Sequence, residues 1–176
     1  MTSNHQPDPV KPDDPDNNAL SVEIDTRTTY HQISRIMMMH AKHSIDIYAF
    51  KLEPEIVNHK SVIAALKRLP QQTSSARIRI LVQESRESVT ECAPFVEMAR
   101  KYTSFIEFRR LGDLKETNPA SWMTVDQDKY ITRINYHSYQ GKACHQDKLE
   151  VRNLKEIFNE RWEKSPPDPE LRRLIV

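Results

Sequence analysis

The sequence predicts an α/β protein whose strands and helices alternate before an antiparallel hairpin and a last helix. Three observations predict it. Short runs with period-two or fully apolar patterning at 44–50, 77–82 and 105–109 are separated by helical patterns at 60–69 and 93–102. Two further strand-like runs, 122–126 and 130–134, are joined only by Gln127, Asp128 and Lys129. A long amphipathic stretch over 148–164 closes the order. Strands joined through helices lie parallel and strands joined by a tight turn lie antiparallel, so the expected sheet is mixed, mainly parallel and flanked by helices.

The first helix is expected over 30–43, where Tyr30, Ile33, Ile36, Met37 and Ala41 share a face and Thr28 or Thr29 is placed to cap it. The run Met37, Met38, Met39 reads as core packing with Met38 or Met39 at an edge; the rival reading is a pliable partner groove. The segment 44–50 alternates as a strand. A helix over 60–69 is stopped by Pro70, and 71–76 is a polar loop. The strand 77–82, Arg-Ile-Arg-Ile-Leu-Val, is buried on both faces in its second half. Pro94 suits the first turn of a helix over 93–102 that buries Phe95, Val96, Met98, Ala99 and Tyr102. The last helix presents Leu154, Ile157, Phe158, Arg161 and Trp162 on one side, and the stretch before it, 136–147, reads as a polar loop.

Composition sets bounds. The 176 residues suit one domain. Residues 1–21 hold four prolines, four aspartates and three asparagines with little to bury, so they are expected as a disordered acidic arm ahead of a domain over 22–176. That arm sets Lys11 against Asp8, Asp13, Asp14 and Asp16, a net −3, which leaves +4 for the remainder of a chain whose formal charge is +1. Such a weak field argues against a nucleic-acid partner. The only glycines are Gly112 and Gly141, too far apart for a dinucleotide turn, a phosphate loop or a nucleophile elbow. Cys92 and Cys144 form no paired-cysteine motif and read as thiols in a reducing compartment. With no secretory signal and no apolar run long enough for a bilayer, the expectation is a cytoplasmic protein without a membrane partner.

The strings AKHSIDIYAF, RIRILV, MARKYTSFIEFR and LKEIFNERWEKSPPDPELRRL resemble one half of the phospholipase D superfamily, Phe158 and Trp162 matching an F-x-x-x-W pattern that ends its last helix. More narrowly, residues 22–176 resemble a bacterial phospholipase-D-like domain of unknown function, found alone or behind a GNAT-type acetyltransferase domain. The resemblance implies a single phospholipase-D-like half. It also implies chemistry by an HxKxxxxD motif on the first strand of the hairpin. There a histidine attacks phosphorus, a lysine neutralises the phosphoryl oxygens, and an aspartate orients the histidine. With the aspartate set on Asp126, the histidine position falls on Pro119 and the lysine position on Ser121. Setting it on Asp128 places Ser121 and Met123 there, which is no better. The motif is degenerate, and the expected protein is a pseudoenzyme that acts by binding. The alternative is a phosphodiesterase- or nuclease-type hydrolase working as a homodimer with a rebuilt site, for which His137 and His40 are the nearest histidines.

Other candidates have plainer readings. His40, Lys42 and Asp46 imitate the motif one residue short, but they stand where basic groups close a helix. His137, Cys144, His145 and Asp147 are metal-ligand types without a zinc spacing, so no metal is expected, and no cofactor. Among Arg77, Arg79, Arg109, Lys129 and Arg133, which alternate on strands, Arg109, Lys129 and Arg133 are candidates for an anion pocket; solvated strand ends are the competing reading. The implied partners are a protein, of acetyltransferase type by resemblance, an anionic ligand, or a second copy of the chain.

Overall fold

The computed structural model describes residues 21–111 and 120–167. The expected acidic arm, Ser21 apart, lies outside the described residues, and so does Pro119. The chain forms β1 (Val22–Ile24), α1 (Arg27–Met39), β2 (Ser44–Ala49), α2 (Pro54–Val57), α3 (Lys60–Gln72), β3 (Arg77–Val82) and α4 (Ser85–Glu91). It continues with α5 (Ala93–Lys101), β4 (Ile106–Arg110), β5 (Ser121–Val125), β6 (Lys129–Arg133), β7 (Gly141–Cys144) and α6 (Lys148–Glu163). The strands make one seven-stranded mixed sheet in the order β1-β7-β6-β5-β2-β3-β4.

Parallel pairing is confined to β2, β3 and β4, the strands joined through helices. The pairings of β1 with β7, β7 with β6, β6 with β5 and β5 with β2 are antiparallel. The share of parallel pairing is therefore smaller than the alternation of elements implied. The excess comes from β7, within the stretch expected as a polar loop, and from β1, for which no strand is expected. Gly141 makes the β7 pairing possible, since a Cβ there would meet the Thr132 carbonyl oxygen at 1.9 Å.

Alternate strand residues feed two cores. Ile45, Ile47, Ile78, Ile80, Met123, Val125, Ile131 and Ala143 face the layer of α1 to α5. Tyr48, Leu81, Trp122, Tyr130 and Cys144 face the other way, against Val151, Leu154, Phe158 and Trp162 of α6. Ile157, expected on the buried side of α6, is 41% exposed because it lies one helical step off that stripe.

Local signals shift some elements. Thr26, not Thr28 or Thr29, caps α1, accepting from the Thr29 N–H at 3.2 Å, because the helix begins at Arg27. The buried face of α1 is Tyr30, His31, Ser34, Met37 and Met38, with Ile36 exposed. Pro70 lies inside the last turn of α3, where its missing N–H frees a single carbonyl near the helix end. Met37 and Met38 are core residues and Met39 lies at the edge.

Candidate functional site

The strand β5 runs between two distinct environments. Just past its far end is Asp126, the one non-glycine residue with positive φ (58°) among the described residues, a conformation that aspartate tolerates better than most. Its carboxylate Oδ1 accepts from the backbone N–H groups of Lys42, His43 and Ser44 at 3.1, 2.8 and 3.1 Å. Its own N–H donates to the Ser44 carbonyl at 2.8 Å. Lys129 Nζ stands 3.7 Å from the other carboxylate oxygen. Asp126 thus clamps the hairpin turn to the segment that enters β2.

The near end is Ser121, which pairs across the sheet with Arg133 of β6. Both are buried, and the Ser121 hydroxyl has no hydrogen-bond partner. Arg133 Nη1 donates to Glu53 Oε1 at 2.8 Å, and its guanidinium lies 5.0, 4.9 and 4.6 Å from the ring centroids of Tyr30, Tyr136 and Tyr139. The second Glu53 oxygen accepts from the Tyr139 hydroxyl at 2.8 Å and sits 2.7 Å from His31 Nε2. Pro54 explains the placement of Glu53. A residue before proline is pushed to extended geometry, here φ −105° and ψ 116°, which stops it joining α2. Burial pushes the Tyr30 phenol up to about 12, against the pull of Arg133, and burial with the bond to Glu53 also raises Tyr139.

A cavity of about 40 Å³ opens beside this cluster, lined by Ser34, Met38, Ile47, Leu52, Glu53 and Ser121 among others. Chemically, the arrangement is a cationic arginine neutralised by one carboxylate, with a histidine held on the same carboxylate. The cluster occupies the ends of β2 and β6 that face α2, at the carboxyl ends of the parallel strands, where open α/β sheets place their ligand sites.

The three candidate anion-pocket residues are not brought together. Arg133 is internal, and Lys129, at the opposite end of β6, pairs with Asp128 at 2.7 Å. Arg109 is on the far edge strand β4, where it pairs with Glu107 and donates to the Trp162 carbonyl. Arg79 is paired bidentately with Asp46 at 2.7 and 2.9 Å. His40 donates a ring N–H to the Ile36 carbonyl as α1 ends, and His137 is exposed beside Tyr136. Cys144 is buried and His145 exposed, and no three His, Cys, Asp or Glu side chains converge as metal ligands among the described residues.

The residues the sequence reading missed are His31, Glu53 and Tyr139. The available signal was a polar pair, His31 and Ser34, spaced one helical turn apart beside Tyr30 and Met38. Of the expected apolar face, Tyr30, Met37 and Ala41 are buried and Ile33 packs against the core, and Ile36 is exposed.

A family model described as a domain of unknown function, DUF7931, matches residues 26–174. No curated protein matches. Among solved structures the chain is similar to TrmBL2, an archaeal chromatin protein described as having a novel mode of DNA binding, at TM-score 0.60 and 16% identity. That match covers 88% of this chain and 56% of the other, so the chain spans little more than half of that protein. It is also similar to Nuc from Salmonella typhimurium, a phospholipase D family member, at TM-score 0.55 and 16% identity, covering 78% of this chain and 89% of that one. NucT from Helicobacter pylori matches at TM-score 0.58 and 11% identity, covering 84% and 98%.

Proposed function

The chain belongs to the DUF7931 family and has a phospholipase-D-like fold, and from that premise we propose that it is a non-catalytic member of the fold that acts by binding. The observation that carries the reading is the state of the Ser121 end of β5. We align Asp126, Ser121 and Pro119 with the aspartate, lysine and histidine of the superfamily motif. An uncharged hydroxyl then stands where a phosphate clamp is needed, and proline stands where a nucleophile is needed. The nearby cation does not replace the clamp, because Glu53 neutralises Arg133 inside the protein. Asp126 is engaged with three backbone amides rather than with a histidine.

The partner is a protein or an anionic ligand, in the cytoplasm. An acetyltransferase-type domain and a second copy of this chain are the protein partners to try first. The DNA-binding description of TrmBL2 makes nucleic acid a control worth including, although the weak net charge speaks against it.

A second reading, a homodimeric phosphodiesterase or nuclease, has one observation in its favour. His31 reaches the same end of the sheet as Ser121, through Glu53. The deciding experiment measures hydrolysis of an aryl phosphodiester by the wild type beside His31→Gln, Asp126→Ala and His137→Ala variants, with the mass in solution determined in parallel. No turnover above the variants is expected. Turnover that disappears in His31→Gln alone would replace the binding reading by the hydrolase.

A further inference from the structure

We propose that the cleft between the start of β2 and α6 is a binding site for a phosphate monoester. It lies at the opposite end of the sheet from Ser121; it rests on the reading above in naming a site and class for the anionic ligand, and its test is separate from the hydrolysis assay. The cleft has a volume of about 550 Å³ and is lined by His43, Ser44, Arg77, Ser104, Gln127 and Lys155, with Ser75 and Ala76.

Its composition is one-sided. Arg77 and Lys155 are cations, His43 is a third nitrogen donor, and the serines and Gln127 supply further donors. Among the described residues, no carboxylate lines it. The nearest acids are already engaged. Asp46 gives both oxygens to Arg79 at 2.7 and 2.9 Å, and Asp126 holds the amides of 42–44.

Lys155 is the centre of the argument. Its side chain is only 17% exposed, yet its ammonium makes a long 3.4 Å contact to the Ser44 hydroxyl and stands 3.9 Å from Asp46. Burial, and secondarily the positive charges of Arg79 and Arg77, hold its pKa below the ordinary lysine value, against the pull of Asp46. A half-buried ammonium beside two arginines, whose nearby carboxylates Asp46 and Asp126 are both engaged elsewhere, gains from an added anion.

Phosphate fits better than carboxylate. Two cations and at least three hydroxyls offer more donors than two carboxylate oxygens accept, whereas a monoester brings three terminal oxygens and a charge of about −1.5 to −2. The cleft is roomier than a bare phosphate requires, which leaves space for the esterified group. Asp126 acts here as a positioning residue, because it fixes the backbone that carries His43 and Ser44.

The test titrates the full chain with inorganic phosphate, phenyl phosphate, acetate and a short single-stranded oligonucleotide while following the His43 ring proton resonances and the backbone amides of 43–44 and 77. Saturable shifts at these positions are expected with phenyl phosphate, weaker ones with inorganic phosphate, and none with acetate. Arg77→Gln and Lys155→Gln are each expected to weaken binding on the order of tenfold, and Lys164→Gln, at the far end of α6, to leave it unchanged. Arg77 is exposed, so its variant tests the site even if Lys155→Gln fails to fold. Equal binding of acetate, shifts elsewhere only, or affinity indifferent to Arg77→Gln would overturn the proposal. Oligonucleotide binding lost in the same variants, without monoester binding, would reassign the cleft to a phosphodiester backbone.

Discussion

If Asp126 is a clamp and not a remnant of catalysis, its removal must cost stability. The carboxylate accepts three backbone N–H groups and sits at φ 58°. Hydrogen bonds to a charged group contribute about 1.5–3 kcal/mol each when fully buried. Lys42 and His43 are exposed, so water can reach their freed amides and each loss falls toward the lower end or below it. About 2–3 kcal/mol for the three together is the resulting expectation for Asp126→Gly, which keeps the backbone conformation open. Asp126→Ala adds the left-handed penalty of a β-carbon, about 1 kcal/mol. Urea unfolding therefore ranks wild type above the glycine variant and glycine above alanine. Wild-type stability in Asp126→Gly, or alanine equal to glycine, would refute the clamp.

Other perturbations follow from single contacts. Gly141→Ala drives a methyl into the Thr132 carbonyl, and thermal unfolding should show a loss of about 3 kcal/mol or more, or no folded protein. Glu53→Gln leaves Arg133 buried without its counter-charge and should cost about 3–5 kcal/mol in urea, with part recovered in the Glu53→Gln, Arg133→Met double variant. Burial pushes the phenols of Tyr30 and Tyr130 from 10.0 up to about 12. Groups whose folded pKa is raised stabilise fully below the unfolded value, so this contribution is lost as pH rises from about 10 toward about 12, with phenolate absorbance appearing together with unfolding. Cys92 and Cys144 are both buried, and burial pushes the Cys92 thiol up to about 12, so a disulfide reagent at mildly alkaline pH should label neither cysteine until the chain unfolds.

What was legible in the sequence was the part decided locally. The strand over 77–82 matches β3 at both ends because its apolar run is bracketed by a polar loop and a new helix start. The helices α5 and α6 follow from Pro94 and from the Phe158 and Trp162 spacing. What escaped was decided at a distance. Four residues, Gly-Lys-Ala-Cys, become β7 only because β6 and β1 flank them on both sides. On α1, His31 joins the buried face for the sake of Glu53, 22 positions away, and no helical periodicity reports such a partner.

The site shows the same division. The motif alignment picks out Ser121 and Asp126 around the hairpin strand, but only the fold reveals that Asp126 serves the segment 42–44 and that Arg133 is spent on Glu53. Five residues of β5 separate these ends by about 17 Å. At one end a guanidinium and a histidine share one carboxylate, which neutralises the guanidinium although its Nε and the Ser121 hydroxyl stay without a partner. At the other, a half-buried ammonium shares the Asp46 carboxylate with Arg79, and donors line the cleft beside it. A sheet that has neutralised the cation at its carboxyl-end site while leaving one poorly neutralised at the opposite end can hold an anion most favourably at Lys155, without any need for chemistry at Ser121.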